Sequence, residues 1–339
     1  MRTKPSRQFL SLSFSGCGHL LPYHLGVAAS LLQNSQPNEV RGGPSKGVKP
    51  KYESRPLLPP IQAVSGSSAG AIAAVILARI PHRLEEFADS FFSKKGQALT
   101  ILQSMLFDEE RFIMNGHGDG GSNKSIVTPI TENSRRSKSP ILYIATTKCH
   151  DGSSHLTPFS DPTIFSNISC TWSTDDILMG VKASCSIPTS FHPFDLVQFP
   201  FSRHVTYPEG EGQVLGDGNS HVDGGIAAPA PRSPHDEMEG AIPIIISPIS
   251  FRSSSIYTSS TQRTKDGIIR ISPNDETWRL LPIRNMNLRG GFEVRPSIQN
   301  LRALRVASGV TTSEELKGWY QLGMEDGETM YERMNNEDH

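Results

Sequence analysis

The pentapeptide Gly66-Ser67-Ser68-Ala69-Gly70 has the composition of a sharp turn that presents a serine nucleophile. The small residues around Ser68 let the backbone bend between a strand and a helix, so that the hydroxyl points outward. A short apolar run at 61–64 precedes this turn, and a run at 69–80 rich in Ala, Ile and Leu follows it. The sequence therefore predicts strand, nucleophile elbow and helix, although a Gly/Ser turn that only caps a helix has a similar composition.

Two segments could stabilise the oxyanion that forms when such a serine attacks an ester carbonyl. The helix that begins at Ala69 directs its N-terminal N–H groups at the turn, so the N–H of Ala69 is a candidate donor. The turn Gly16-Cys17-Gly18 follows the alternating strand pattern at 9–14, and its backbone N–H groups could converge on an oxyanion or a phosphate. It lacks the Lys-Ser/Thr ending of a nucleotide-binding loop, and a plain strand-to-helix turn stays open as an alternative.

A carboxylate stands at the predicted end of another strand, in His221-Val222-Asp223-Gly224-Gly225. The two glycines allow another segment to approach Asp223 closely. A buried carboxylate within hydrogen-bond reach of a serine can act as its general base without a histidine. Taken alone, an Asp-Gly pair is more often an ordinary turn.

Together these three elements resemble the motifs of the patatin-like phospholipase family. Their residues are similar to those of the branch of adipose triglyceride lipase and adiponutrin. Gly16-Cys17-Gly18 matches the oxyanion loop of that branch, residues 66–70 match its nucleophile elbow, and Asp223-Gly224-Gly225 matches its Asp-Gly-Gly motif. The run from Ala183 to Pro188 also resembles the family segment that precedes the catalytic aspartate. The resemblance spans most of the chain, with the motifs in the same order.

The resemblance implies a lipid acyl hydrolase that cleaves fatty-acyl esters of glycerolipids, either triacylglycerol or phospholipid. It implies a dyad of Ser68 and Asp223, an acyl-enzyme, and oxyanion donors at Gly16, Cys17 and Gly18, with no metal and no organic cofactor. Patatins of plants and bacteria usually carry Lys or Arg where this chain has Leu20. This difference favours neutral glycerolipids slightly, because a charged contact with a phospholipid head group is missing.

Strand and helix patterns alternate along the chain. The runs at 141–145 and 242–246 are dense in β-branched and apolar residues, as in strands that are buried on both faces. Helical patterns occur at 22–33, 69–80, 83–95, 175–184, 297–308 and 313–333. This order predicts a three-layer α/β/α fold with a central, mostly parallel sheet, and the resemblance implies its patatin-like form.

Composition predicts one domain with polar insertions. The chain has 339 residues, of which 25 are Pro and 29 are Gly, and these two residue types concentrate in a few stretches. We expect a single patatin-like domain over 1–339, a core at about 8–250, flexible insertions at about 34–60, 115–139 and 251–266, and a helical C-terminal part.

Charge and cysteine usage limit the partners and the location. With 33 basic and 34 acidic residues the chain lacks the electrostatic footprint of a nucleic-acid-binding protein. The four cysteines show no paired close spacing and no signal-like apolar run follows Met1, so we expect an intracellular, cytoplasmic protein. No apolar run approaches the roughly 20 residues of a membrane span. Membrane or lipid-droplet contact would then be peripheral, and protein partners are not predicted.

Two further stretches have both a functional and a purely structural interpretation. The first insertion carries more basic than acidic residues and could meet an anionic surface, although a solvated loop is the commoner meaning. Its basic residues are Arg41, Lys46, Lys49, Lys51 and Arg55. The apolar run Ile101 to Phe107 could line an acyl pocket, although core packing is the ordinary role of such a run.

Three other functions remain open. An α/β-hydrolase esterase with a Ser-His-acid triad shares the elbow, and His235 follows Asp223 in the right order. A lipid acyltransferase would use the same acyl-enzyme, and a non-catalytic lipid-binding regulator could keep the fold without the chemistry. We interpret His192, His204 and His221 as surface or hydrogen-bonded core residues.

Overall fold

The structure of the chain is a computed structural model. It describes residues 8–35, 57–94, 97–115, 139–159, 173–191, 206–249, 261–263, 267–273, 286–288, 292–294 and 297–337. Most of the predicted insertions at 34–60, 115–139 and 251–266 lies outside these residues, as do the basic residues between 41 and 55, His192 and His204. Their predicted roles therefore stay predictions.

The strands and helices that the sequence predicts are present to within a few residues, and several further elements are present that it did not predict. The strands are β1 (Phe9–Phe14), β2 (Ile61–Ser67), β3 (Ile141–Lys148), β4 (Ser154–Phe159), β5 (Gln213–Val214), β6 (Ser220–Asp223), β7 (Ala241–Ile246), β8 (Thr261–Arg263), β9 (Ile269–Ile271), β10 (Met286–Leu288) and β11 (Phe292–Val294). The α-helices are α1 (Leu21–Asn34), α2 (Ala69–Arg79), α3 (Leu84–Ser93), α4 (Ala98–Asn115), α5 (Thr174–Ser184), α6 (Gly224–Ala227), α7 (Ile298–Ala307) and α8 (Ser313–Glu337).

A mixed sheet forms the centre of the fold. Its described strands lie in the order β5-β6-β3-β2-β1-β7-β9-β8, and β4 pairs with β3 off this path. The five central strands from β3 to β9 are parallel to their neighbours, whereas β4, β5, β6 and β8 pair antiparallel. Helices flank this mostly parallel sheet, which confirms the predicted fold class.

The two faces of the sheet bury different chemistry, because successive residues of a strand point to opposite sides. On β1, Leu10, Leu12 and Phe14 join the main apolar core with the helices. The alternate residues are serines that bond to the chain after β6. The Ser11 hydroxyl donates to Asp236 Oδ1 at 2.6 Å, and the Ser13 hydroxyl donates to the Pro231 carbonyl. The segment that follows Asp223 is therefore fixed across β1.

The sheet and the core extend beyond the predicted limit near residue 250. Thr261–Arg263 was expected within a loop, but these residues form β8 and pair antiparallel with β9. The loop prediction is wrong at these three positions, because pairing with β9 gives the segment backbone partners that its Ser/Thr-rich sequence does not reveal. Side chains of α7 and α8 join the main core as well. The single domain stays a prediction.

The apolar run Ile101 to Phe107 belongs to α4. Ile101, Leu102, Met105 and Leu106 are buried in the main core. This burial favours the interpretation as core packing over an acyl pocket. Among the described helices, none has both the length and the hydropathy needed to cross a membrane.

Helices α1 and α8 pack through glycines that bring their backbones together. A Cβ on Gly26 would lie 2.1 Å from the Tyr320 carbonyl oxygen, and one on Gly323 would lie 2.2 Å from the Tyr23 carbonyl oxygen. The buried Tyr23 hydroxyl also donates to Asp326 Oδ2 at 2.7 Å. Only glycine permits this approach, so the register between the two helices depends on it.

Gly26→Ala should lower the free energy of unfolding by about 1–3 kcal/mol, because the added methyl group forces α1 and α8 apart. The matched control is Gly318→Ala on α8, where a Cβ meets no atom within 4 Å. That change should raise stability by about 0.5–1 kcal/mol, since alanine suits a helix better than glycine. Urea denaturation measures both, and a Gly26→Ala variant as stable as the wild type would contradict the packing argument.

Candidate active site

The predicted site residues meet at one edge of the sheet. Strands β1 and β2 run parallel and both end there, which is where ligands bind in open α/β sheets. The register pairs Ser67 with Ala145 of β3, and Thr146 of β3 with Asp223 of β6. Residues 16–18, Ser68 and Asp223 are thereby brought together from three separate parts of the chain.

The elbow at Ser68 is strained. Ser68 has φ 51° and ψ −128°, and it is the one non-glycine residue of the described chain with a positive φ. Such a conformation costs about 1–3 kcal/mol and is typical of functional sites. Ser68 occupies the N-cap position of α2, yet its side chain makes no capping hydrogen bond. Ser68 is partly exposed, and its hydroxyl remains available for other chemistry.

Close backbone contacts explain the glycines of the elbow. A Cβ on Gly66 would lie 2.2 Å from the Gly70 carbonyl oxygen. One on Gly70 would lie 2.3 Å from the Phe14 carbonyl oxygen at the end of β1. The hydroxyl of Ser67 is buried and donates to the Pro229 carbonyl at 3.0 Å. These contacts seat the turn against β1 and against the segment after Asp223.

The carboxylate of Asp223 faces Ser68 directly. Asp223 is 6% exposed and caps α6, with its Oδ1 accepting the Gly225 N–H at 2.7 Å. The Ser68 side chain is close enough to lower the pKa of this carboxylate. Burial raises the pKa of Asp223 from 3.8 to about 6, although Ser68 and Gly225 act in the opposite direction. A carboxylate with a pKa near 6 is a stronger base than an exposed one and is still ionised at neutral pH.

The glycine turn after β1 lies against the elbow. A Cβ on Gly16 would be 3.4 Å from Ser68 Cβ and 3.4 Å from Gly225 Cα. The Gly16 N–H, however, donates to the Pro229 carbonyl at 2.8 Å. The expectation that Gly16 is an oxyanion donor is therefore wrong in this structure, because a long-range backbone bond already uses its N–H.

Three backbone N–H groups remain as candidate oxyanion donors. Cys17 and Gly18 continue the turn, and Ala69 is the first residue of α2, where an N–H has no partner inside the helix. Gly18 has φ 53°, and a Cβ there would lie 2.4 Å from the Ala307 carbonyl oxygen. Glycine is thus required at this position for both conformation and space.

The buried ring of His24 holds the residue before this turn in place. The ring of His24 is fully buried, and its Nε2 donates to the Ser15 carbonyl at 2.8 Å. Burial lowers the pKa of His24 to about 4, so the ring is neutral at physiological pH.

The thiols of Cys17 and Cys185 lie near Asp223, and burial raises the pKa of each. Both thiols are therefore protonated and add no charge beside the carboxylate.

Ser184 belongs to the site, although no individual role was predicted for it. Its buried hydroxyl accepts the Ser68 N–H at 2.8 Å and donates to the Ala145 carbonyl at 2.6 Å. Two residues later, the Ser186 carbonyl accepts the Asp223 N–H at 2.8 Å. One short segment thus holds the backbones of both Ser68 and Asp223. The resemblance of 183–188 to a family segment was the signal that pointed here.

Other predicted residues lie away from Ser68 or have structural partners. Leu20 is fully buried in the main core, so its side chain does not reach a substrate and gives no information on head groups. His221 is buried between Thr146 Oγ1 at 2.8 Å and Asp217 Oδ1 at 3.0 Å, as expected of a hydrogen-bonded core residue. Within the described ranges, no group of His, Cys, Asp and Glu side chains could hold a metal ion.

The fold and the site define an α/β protein with a serine and a carboxylate at the carboxyl edge of its sheet. The family model described as patatin-like phospholipase matches residues 12–234, a span that includes the elbow, the glycine turn and the Asp-Gly-Gly motif. The chain belongs to the patatin-like phospholipase family. No curated protein matches it in sequence.

The solved structures to which this chain is similar include larger proteins. VipD from Legionella pneumophila is 14% identical with a TM-score of 0.35, over 72% of this chain and 50% of VipD. Human GIVD cytosolic phospholipase A2, in complex with methyl gamma-linolenyl fluorophosphonate, is 9% identical with a TM-score of 0.41. That match covers 97% of this chain and 59% of the human protein. The chain thus spans between half and three fifths of these relatives.

Ser184→Ala should weaken the site, because it removes the partner of the Ser68 N–H and a donor to the Ala145 carbonyl. We expect a loss of about 1–3 kcal/mol in unfolding free energy and slower labelling of Ser68 by a fluorophosphonate probe. The matched control is Ser186→Ala, which removes a hydroxyl bonded to the Lys182 carbonyl but keeps the backbone bond to Asp223. Thermal melting and mass spectrometry measure both effects. Equal labelling rates in the two variants would contradict the role of Ser184.

Asp223→Asn should stabilise the fold at neutral pH. The folded pKa of about 6 lies above the ordinary 3.8, so the native state favours the protonated carboxyl. That stabilisation is complete below about pH 4 and is lost as the pH rises through 6. The neutral amide of the variant does not ionise and so keeps this stabilisation. As the pH rises from 4 to 7, its free energy of unfolding should therefore come to exceed that of the wild type by on the order of 1–3 kcal/mol.

Urea denaturation across this pH range tests the prediction, with Asp217→Asn as a control of opposite sign. Burial alone would raise the pKa of Asp217, but hydrogen bonds from Asn219 and His221 bring it well below its ordinary value. The ionised form of Asp217 therefore stabilises the fold above about pH 4, and the control variant should be less stable than the wild type at neutral pH. A stability difference for Asp223→Asn that does not change with pH would overturn the assignment.

Proposed function

We propose that the chain is a lipid acyl hydrolase that cleaves fatty-acyl esters of glycerolipids, with Ser68 as nucleophile and Asp223 as general base. The main support is the proximity of the Ser68 side chain to the buried Asp223 carboxylate, whose pKa it lowers. The partly exposed position of Ser68 on a strained elbow is further support. Membership of the patatin-like phospholipase family supports a lipid ester as the substrate class.

Acylation follows from this pair of side chains. Ser68 Oγ attacks the acyl carbonyl while its proton passes to Asp223, and a tetrahedral intermediate with a negative oxygen forms. As this intermediate collapses, the bond to the glycerol oxygen breaks and Asp223 returns the proton to the leaving alcohol. The product is a fatty acyl ester on Ser68.

Deacylation repeats these steps with water. Asp223 takes a proton from a water molecule whose oxygen attacks the acyl-enzyme carbonyl. The second tetrahedral intermediate releases Ser68 Oγ, which recovers the proton, and the fatty acid leaves. Asp223 needs no metal or organic cofactor for these transfers, because its raised pKa allows it to gain and lose a proton near neutral pH.

The N–H groups of Cys17, Gly18 and Ala69 would stabilise the negative oxygen. Ala69 begins α2, whose N-terminus carries a partial positive charge that favours an anion. A preorganised donor of this kind is worth about 3–4 kcal/mol of transition-state stabilisation in other hydrolases. The Gly18 turn is fixed against the carbonyl of Ala307, which supports such preorganisation.

The alternative of a Ser-His-acid triad has less support. His235 lies in the turn Pro234–Glu237, and its Nδ1 is 3.1 Å from the Tyr143 hydroxyl. The groups that shift the pKa of Asp223 include Ser68 and Gly225 but no histidine. A lipid acyltransferase would share the acyl-enzyme and differ only in the acceptor, a lipid alcohol in place of water. A non-catalytic regulator would have no use for the strained elbow.

Substrate and location complete the proposal. The motif residues at 16–18 and 66–70 are similar to those of the adipose triglyceride lipase and adiponutrin branch. Triacylglycerol and phospholipid are therefore the first substrates to consider. We propose an intracellular, cytoplasmic protein that contacts a membrane or lipid-droplet surface peripherally.

Ser68→Ala and Asp223→Asn should each reduce kcat for ester hydrolysis by about a thousandfold or more, because each removes one half of the dyad. His235→Ala should retain most of the activity. Purified protein assayed for fatty-acid release on triacylglycerol, phospholipid and lysophospholipid measures these effects and ranks the substrates.

Three outcomes would change the conclusion. Equal activity in the wild type and Ser68→Ala would refute the proposal that the chain is a hydrolase with Ser68 as nucleophile. Loss of turnover in His235→Ala, with Asp223→Asn less affected, would favour the triad. Acyl transfer to an added lipid alcohol at the expense of fatty-acid release would favour the acyltransferase.

A further inference from the structure

Helix α7 and the residues after it expose a set of large apolar side chains, which we name the α7 apolar face. On α7 they recur every third residue, so they lie within a sector of about 120° of the helix surface. The opposite side of α7 buries Ala303 and Val306 in the core. The residues of the α7 apolar face are Ile298, Leu301, Leu304 and Val310, which are 52%, 58%, 49% and 61% exposed.

This face concentrates exposed apolar side chains. Of the ten large hydrophobic residues that are exposed in the described chain, four belong to it. Scattered single hydrophobics on a surface need no explanation, whereas a contiguous group marks an interaction site. The α7 apolar face is thus a candidate binding surface.

The C-terminal end of α7 contacts the candidate active site. The last residue of α7 is Ala307, whose carbonyl oxygen packs on Gly18 of the glycine turn and accepts the His19 Nδ1–H at 3.3 Å. Helix α7 is therefore fixed to the segment that contributes the proposed oxyanion donors. A lipid aggregate that rests on α7 would lie beside that segment.

The charges of α7 suit an anionic partner. The helix contains Arg302 and Arg305, both about half exposed, and no acidic residue. Both arginines bond to Glu315 of α8, which supplies a single carboxylate. One positive charge is left in excess at the edge of an apolar surface, as in interfacial helices that lie on anionic lipids.

We propose that the α7 apolar face docks on an anionic lipid surface and thereby presents the Ser68 site to lipid held in that surface. This inference rests on the proposed function, because a glycerolipid substrate is held in a lipid surface that the chain must contact. The apolar side chains supply most of the binding and the arginines add a preference for negative head groups. Docking itself requires neither Ser68 nor Asp223.

The test compares two double variants of the full chain. Leu301→Gln with Leu304→Gln should weaken binding to mixed phosphatidylcholine–phosphatidylserine vesicles by about tenfold or more, since both side chains leave the lipid. The control is Val214→Gln with Met238→Gln, two residues of similar exposure elsewhere on the surface. Its vesicle binding should match that of the wild type. Vesicle sedimentation measures binding, and thermal melting confirms that both variants are folded.

A second arm tests the charge. Arg302→Gln with Arg305→Gln should weaken binding to vesicles that contain phosphatidylserine by at least about fivefold, and should leave binding to pure phosphatidylcholine nearly unchanged. An equal loss on both vesicles would remove the anionic preference from the proposal.

Two outcomes would overturn the proposal as a whole. One is unchanged vesicle binding when Leu301 and Leu304 are replaced. The other is a wild-type dimer that dissociates on these replacements, which would show that a second copy of the chain covers the face.

Failure of docking and failure of catalysis give different results. Ser68→Ala should bind vesicles as the wild type does, and the Leu301/Leu304 variant should hydrolyse a soluble monomeric ester at the wild-type rate. A wild type that binds vesicles through α7 but hydrolyses no ester would refute the proposed function and leave the docking surface standing.

Discussion

The backbone of Ser68 is held in a conformation that a residue with a side chain rarely adopts, and the rest of the site depends on that constraint. The strain of about 1–3 kcal/mol is small beside the burial of β2 and α2, whose apolar residues lie in the core. Gly66 and Gly70 allow the turn to seat against the end of β1. Packing therefore fixes the elbow, and the hydroxyl is left free of any capping role.

Burial of Asp223, like the strain at Ser68, lowers the stability of the fold and makes a side chain of the site more reactive. A carboxyl removed from water resists ionisation, and its pKa rises to about 6. The Gly225 N–H and the Ser68 side chain limit that rise. The chain thus keeps a carboxylate that is ionised at neutral pH yet basic enough to accept a proton from a serine.

Much of the fold was predictable because it rests on local patterns. The alternation in β1 and the apolar runs of β3 and β7 were each sufficient to predict a strand, and the Ala-rich run after Ser68 predicted α2. Strand β8 was missed, because Thr261–Arg263 becomes a strand only through its partner β9. Edge strands of this kind have weak sequence signals, since pairing and not composition decides them.

The sequence by itself determined the elbow at Ser68, the glycine turn at 16–18 and the Asp-Gly-Gly motif, because each is a short run whose residue types suit one local geometry. Only the tertiary structure decided how these runs meet. The bond from the Ser68 N–H to Ser184 joins residues 116 positions apart, and the bond from Ser67 to Pro229 joins residues 162 apart. The use of the Gly16 N–H by Pro229 and the burial of Leu20 are decided in the same way. Contacts between distant segments depend on the packing of the whole sheet, and no local pattern encodes them.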